Sequence, residues 1–360
     1  MRMKWSNLLK YLVIQSIFWI MADLLLVFIF DVIKNIYNAT HQLQENNNVP
    51  FNILLTVFFG AFQGFIFGVA DKIISVKYFN SLSLGFTLVY KGIINFISTA
   101  LMLFIIRQFV FPNFPELLYN QRIIYLDYAW VQIFKLILTY NFVMALLISF
   151  INQVNKKFGR SMMLSFILGK YRKPKDENRI FMFLDLKSST TIAEKLGHIK
   201  YSAFIRDFFK DINFVVSRYN VQIYQYAGDE IILTWKKKDG LKNNACVKFF
   251  FDCENEFFKR TKYYQEKYGL IPVFKAGIHA GKVTAVEIGD IKRDIAYHGD
   301  VMNTTARLQS ICNLYGKKLL ISESLAKQLK LSNYLFESLG EKKLKGKNLL
   351  TGVFSIEIKY

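Results

Sequence analysis

Cysteine is scarce in this chain of 360 residues, which has only Cys246, Cys253 and Cys312. Their spacing fits no metal-ligand pattern, so a zinc cluster is not expected and the three read as reduced core thiols. Histidine is sparse too, and His198, His279 and His298 form no cluster that would hold a metal or relay a proton. Acidic residues are few, 27 against 47 lysines and arginines, for a formal charge of +20. An excess of this size often signals nucleic acid, but no aromatic-and-basic recognition module accompanies it, so no nucleic-acid partner is expected.

Long apolar runs are plentiful. Hydrophobic residues make up 52% of the chain, with mean hydropathy +0.21. Four stretches, Tyr11–Phe30, Phe51–Ala70, Gly85–Ile106 and Ala129–Ile151, each have about the 20 residues needed to cross a ~30 Å hydrocarbon core. The first lacks a small-residue cleavage site and reads as an anchor. Arg2, Lys4 and Lys10 precede it, Lys72 and Lys77 occupy the second connection, and Lys156, Lys157 and Arg160 follow the fourth span. By the positive-inside rule both termini are expected to be cytoplasmic, in a multi-pass protein of the cell membrane. Asp23 and Lys91 lie within spans; at ~1.5 Å per residue their depths differ by about 9 Å, which argues against a direct pair and lets Lys91 snorkel to the interface. The spans show neither an internal repeat nor the Gly/Pro-broken helices of a transporter.

Residues 1–153 thus form a membrane domain. Residues 154–176 form a linker, in which Asn155–Lys175 has an apolar middle (Phe158, Met162, Phe166, Leu168) between basic ends. It is expected to be an amphipathic helix that meets anionic headgroups, couples the two halves, or both, and that ends before Pro174. From residue 177 to 360 short β-like runs alternate with helical patterns. RIFMFLDL precedes a helix through Arg218; VQIYQY and IILTW flank a turn at Ala227–Asp229; a helix covers Leu241–Tyr268; PVFKAGIHA and KVTAVEIG read as two strands; and a helix covers Asp300–Leu314. This order suggests an α+β domain with helices on one face of a sheet.

Asp185 closes an apolar strand and Asp229 sits in a tight turn between two others. Two carboxylates at strand ends can converge on a hard divalent cation whose remaining ligands come from substrate phosphates. Taken alone, either aspartate could be a turn former.

Four motifs in order, FLDLKSST (Phe183–Thr190), YAGDE (Tyr226–Glu230), AGIHAGKV (Ala276–Val283) and GDVMNTTARLQ (Gly299–Gln309), give the region from Arg179 to Ile358 a clear resemblance to the class III adenylyl and guanylyl cyclase catalytic domain. The resemblance implies a ferredoxin-like βαββαβ core working as a head-to-tail homodimer, with each active site built from both subunits. It assigns Asp185 and Asp229 to two divalent cations, Mg²⁺ or Mn²⁺, with the Leu186 carbonyl as a further ligand. It assigns Asn303 and Arg307, which share a helix face at four-residue spacing, to the ribose and the transition state. Ser188, Ser189 and Thr190 would cradle phosphates at a helix N-terminus, and the KLKGK segment offers Lys347 as a phosphate-binding lysine, with Lys345 its near competitor. The implied reaction is attack of the ribose 3′-oxygen of a nucleoside triphosphate on its α-phosphorus, releasing pyrophosphate and a cyclic nucleotide messenger.

The base-reading positions depart from the family. Adenine-selective members resemble one another in having lysine with aspartate or threonine, and guanine-selective ones glutamate with cysteine; here the residues are Gln225 and Ala296. Ala296 offers no side-chain hydrogen bond, whereas Gln225 can donate and accept. ATP is the default substrate, with GTP or a pyrimidine nucleotide as alternatives. AGDE also resembles the GGDEF signature of diguanylate cyclases, but the Asn303/Arg307 motif and the DLKSST start argue against that family. The remaining alternatives are an inactive cyclase-fold sensor or scaffold and a transporter with a regulatory domain. Membrane attachment, anionic lipid and a triphosphate substrate account for the positive charge.

Overall fold

The computed structural model describes residues 5–41, 50–77, 83–113, 127–158, 165–166, 168–330, 334–344 and 350–359. They divide into two compact units at Phe158/Gly159.

The first unit consists of long helices: α1 (Trp5–Thr40), α2 (Pro50–Lys77), α3 (Leu84–Ile105) and α4 (Asp127–Phe158). All four are long and apolar enough to cross a membrane. Their exposed surface is apolar, with Leu25, Phe28, Phe58 and Leu101 among the residues facing outward. Their interior is polar. Gln15, Gln63, Asn95, Asn141 and Asn152 are buried, Gln15 and Asn152 exchange hydrogen bonds at 3.3 and 3.0 Å, and the Gln63 amide donates to Thr99 at 3.1 Å. This inverts the pattern of a water-soluble bundle and suits a hydrocarbon solvent, in which polar groups must find partners inside the protein.

One reading of the spans needs correction. Lys91 does not snorkel; it is fully buried and ion-paired with Asp71, which also accepts a 2.6 Å hydrogen bond from the Tyr11 hydroxyl. Asp71 lies one residue beyond the expected end of the second span, and α2 continues to Lys77, so the carboxylate falls inside the packed bundle. Burying a lone ammonium costs several kcal/mol, which is why Lys91 turns inward to this partner. Asp23 is 7% exposed, and among the described residues its Oδ2 has no hydrogen-bond partner. The sequence reading also passed over Gly60, Gly64 and Gly68, a four-residue repeat on α2. A Cβ at Gly60 or Gly64 would strike the α1 backbone at Ile20 or Ser16, so the missing side chains allow α1 and α2 to touch.

The second unit is built on an eight-stranded sheet. Its strands are β1 (Lys175–Leu186), β2 (Gln222–Ala227), β3 (Glu230–Lys236), β4 (Phe274–Ile288), β5 (Asp294–His298), β6 (Leu319–Ser322), β7 (Tyr334–Lys342) and β8 (Thr351–Ile358). The order is β2-β3-β1-β4-β6-β8-β7, with β5 paired to β4 alone. The β4-β1-β3-β2 portion is antiparallel throughout, and with α5 (Ser189–Val216) after β1 and α6 (Ala245–Lys259) and α7 (Thr261–Tyr268) after β3 it forms the expected βαββαβ core. PVFKAGIHA and KVTAVEIG prove to be parts of one 15-residue strand, because Gly281 between them, like Gly277 within the first, serves packing instead of a turn.

Strand alternation gives β1 two apolar faces. Ile180, Met182 and Leu184 pack against Phe204, Phe208, Phe250 and Phe257 of the helices, each contributing roughly 1.5–3 kcal/mol through burial. Phe181 and Phe183 point the other way, toward Ile295 and Tyr297 of β5 and Val301 of α8 (Asp300–Ile311). Cys246, Cys253 and Cys312 are buried free thiols, as expected. Burial pushes Cys246 and Cys312 up to about 12, so both stay protonated. Of the expected linker helix, residues 159–164 and 167 lie outside the described residues, and 155–158 belong to α4. Residues 168–173 instead form turns closed by the Gly169 and Lys170 amides on the Phe166 and Ser165 carbonyls, so the helix does not continue to Pro174. Phe166 and Tyr171 pack on the second face of the sheet.

Candidate active site

The register across three strands places Glu230, Asp185 and Lys275 side by side in one row. Because Asp185 follows Phe181 and Phe183 in alternation, the row opens on the second face, away from α5–α7. Asp229 precedes Glu230 in the β2–β3 turn, where Gly228 takes a φ of +64° that favours glycine. Asp185 and Asp229 interact directly. Burial and the Asp229 charge raise the Asp185 carboxyl above its ordinary value, opposed by the Lys275 ammonium 3.3 Å away. Burial, then Asp185 and Asp229, push Glu230 up to about 7.

Crowded carboxylates that repel one another are the donor chemistry of a divalent-cation site, so Asp185 and Asp229 fit the two ions that the sequence implies. Among the described residues no three His, Cys, Asp or Glu side chains form a closed set of metal ligands. Two carboxylates that leave coordination positions to substrate oxygens are consistent with that. The Leu186 side chain is buried in the core, leaving only its backbone carbonyl for a ligand role.

Helix α8 lies against this row. Gly277 and Gly281 of β4 make room for it, since a Cβ at Gly277 would collide with the Thr305 and Gln309 backbone and one at Gly281 with Val301. Val301, Thr304, Thr305, Leu308 and Gln309 are buried, and the Gln309 amide donates to Asp185 Oδ2 at 2.8 Å. Asn303 and Arg307 are exposed on the opposite side of the helix. The fold therefore separates the residues of the GDVMNTTARLQ motif: Gln309 serves the Asp185 of its own chain, while Asn303 and Arg307 face outward.

Ser188 has left-handed backbone at φ 57°, and Ser189 and Thr190 begin α5 just past Asp185. Burial and then the Asp229 charge push the nearby Tyr201 hydroxyl up, opposed by Ser189. Gln225 is exposed on edge strand β2, where a bulge sets it opposite Ile232, and Ala296 is buried on β5. Their neighbours Tyr224 and Tyr297 touch with ring centroids 5.2 Å apart, so β2 and β5 approach each other, but Ala296 alternates with Ile295 and Tyr297 of the second-face cluster and its side chain points the other way. Lys347 and Lys345 lie outside the described residues. His279 binds Ser322 Oγ through Nδ1 at 2.6 Å, and His198 and His298 are exposed, so no histidine joins the row. Sequence reading missed Glu230, Lys275, Gln309 and Tyr201. Glu230 lay within the YAGDE motif and Gln309 at the end of GDVMNTTARLQ, whereas Lys275 and Tyr201 emerge only from strand register and helix packing.

The described family of adenylate and guanylate cyclase catalytic domains matches residues 171–356. Adenylate cyclase 2 of Rhizobium meliloti (strain 1021) is 35% identical over 210 residues, 58% of each chain. Adenylate cyclase 1 of the same organism is 24% identical over 180 residues, 49% of this chain and 27% of its own. The chain thus spans well under two thirds of these relatives. A bacterial light-regulated adenylyl cyclase shares the fold with TM-score 0.52 at 19% identity, over 61% of this chain and 65% of that one. With the matched region embracing the Asp185 row and α8, the chain belongs to the adenylate and guanylate cyclase catalytic domain family.

Proposed function

We propose that this protein is a membrane-anchored nucleotidyl cyclase that converts ATP to 3′,5′-cyclic AMP and pyrophosphate as a homodimer, with the catalytic domain on the cytoplasmic side. The observation that carries the proposal is the division of labour around α8, whose inner face supports the Asp185 row while Asn303 and Arg307 point outward, available to the site of a second copy.

Asp185 and Asp229 hold the cations, which when bound supply Lewis-acid stabilisation of the 3′-oxygen and of phosphate charge. Lys275 and Gln309 fix the Asp185 carboxylate, so the ligand is oriented before substrate arrives. The backbone amides at the start of α5, around Ser189 and Thr190, receive phosphate oxygens. From the second subunit, Asn303 orients the ribose and Arg307 meets charge that develops at the α-phosphate, a contribution that exists only in the transition state. Gln225 faces the base as donor and acceptor. ATP is favoured by the name of the relative at 35% identity, adenylate cyclase 2.

The test is turnover by the purified full chain in detergent with Mg²⁺ or Mn²⁺, offering ATP, GTP, CTP and UTP separately, with Asp229→Ala as blank. Cyclic AMP lost in the variant supports the reading. Another cyclic nucleotide corrects the base, and silence toward all four from a folded dimer favours an inactive scaffold.

A further inference from the structure

A pocket of about 570 Å³ lies at the opposite end of β1 from Asp185. It is lined by Lys170, Lys175, Lys236, Lys237 and Lys238, with Glu177 the acidic residue among them. Strand pairing explains the assembly. Lys175 opens β1, Lys236 closes β3 opposite Arg179, and the short helix Lys237–Leu241 carries the next two lysines around the corner. The Glu177 carboxylate is already committed, accepting from Lys170 at 2.8 Å, from Arg179 at 2.8 Å and from the Tyr171 hydroxyl at 3.0 Å. Among the described residues no ion pair is formed by Lys175, Lys236, Lys237 or Lys238. Asp239, next in sequence, is turned to Asn220 at 2.8 Å.

Four uncompensated ammonium groups around one concavity repel one another, an arrangement that an anion relieves. The triphosphate of the proposed substrate is not that anion, because ten strand residues at ~3.3 Å place the Asp185 row about 33 Å away. The source of negative charge nearest in chain terms is the membrane itself. The seven steps from Phe158, which ends the fourth apolar helix, to Ser165 span at most ~25 Å when fully extended, and the Lys170 amide donates to the Ser165 carbonyl at 2.9 Å, so the pocket lies within tether range of a headgroup layer.

We propose that this lysine pocket is a docking site for the phosphate of an anionic phospholipid headgroup. The inference rests on the membrane placement given above, and its test separates the two.

The full chain is reconstituted into nanodiscs of phosphatidylcholine alone or with phosphatidylglycerol, and its lysines are labelled with an amine-reactive reagent and read by mass spectrometry. Labelling of Lys175, Lys236, Lys237 and Lys238 should be about fivefold lower in the phosphatidylglycerol discs, and high salt should reverse the protection. Lys262, whose side chain is 88% exposed, should label equally in both. In the variant Lys236→Gln/Lys237→Gln/Lys238→Gln, Lys175 should lose its protection. Equal labelling of the pocket in the two discs overturns the site, as does protection that extends equally to Lys262. Protection by inorganic phosphate in phosphatidylcholine discs assigns the pocket to a soluble anion and overturns the lipid source. Failure of the chain to co-elute with either disc overturns the membrane placement and the proposal with it, whereas incorporation without protection overturns only the headgroup site.

Discussion

Coexpressing one copy that carries Asp229→Ala with another that carries Arg307→Ala puts the outward-facing side of α8 to work as a measurement. Arg307 is exposed and the buried face of the same helix contacts Asp185, so Arg307 points away from the cation row of its own chain. Each variant alone has every site damaged. Arg307→Ala removes a donor to transition-state charge, a loss of about 10²–10³ in rate, or ~2.7–4 kcal/mol. Asp229→Ala leaves Asp185 as the single strand-end ligand. If sites are shared, half the dimers in an even mixture are mixed, and each mixed dimer has one site with both residues intact. About a quarter of wild-type sites should therefore reappear. The assay is cyclic AMP formation by the doubly tagged, tandem-purified mixed dimer, in which about half of wild-type turnover is expected. A mixed dimer no more active than the single variants, with dimer formation confirmed by the two tags, would refute composite sites.

Three other perturbations follow from the packing. Gly277→Ala drives a Cβ into the α8 backbone at Thr305 and Gln309, so it should cost about 1–3 kcal/mol and abolish cyclisation by moving Asn303 and Arg307, as read by thermal shift and turnover. Asp71→Asn leaves the Lys91 ammonium buried without its counter-charge and should destabilise the full chain in detergent by about 3–5 kcal/mol, with Asp71→Asn/Lys91→Met recovering much of it; equal loss in both variants would contradict the pairing argument. Lys267 and the Tyr263 and Tyr268 hydroxyls hold the Asp207 carboxyl down to about 2, against the burial that would raise it. A depressed carboxylate contributes stability above its unfolded value near 3.8, about 2 kcal/mol, and loses it as pH falls toward 2. Asp207→Asn should lower the melting temperature at neutral pH and converge with wild type as pH approaches 2.

Local pattern was sufficient for much of this protein. Spans of apolar residues are visible because hydrocarbon demands length and composition from one continuous segment, and each of the four stretches read from the sequence falls on one of the four long apolar helices, which run several residues further. The motifs around Asp185, Asp229, Asn303 and Arg307 are local as well, because a strand end, a tight turn and a helix face are each written in a few consecutive residues. Tertiary structure decided what those residues meet. Strand register set Glu230 and Lys275 beside Asp185, across 45 and 90 positions of sequence. Helix packing turned Gln309 inward and Arg307 outward, and gave Gly277 and Gly281 the task of admitting α8. In the bundle of apolar helices, depth along one helix predicted an isolated, snorkelling Lys91, but its partner Asp71 comes from a neighbouring helix, and no periodicity within one segment encodes that meeting. The lysine pocket has the same origin: its two lysine groups are more than sixty residues apart and come together because β1 and β3 pair antiparallel. Sequence alone determined which chemistry the chain holds, and folding decided which groups face one another, since burial and electrostatics act through space.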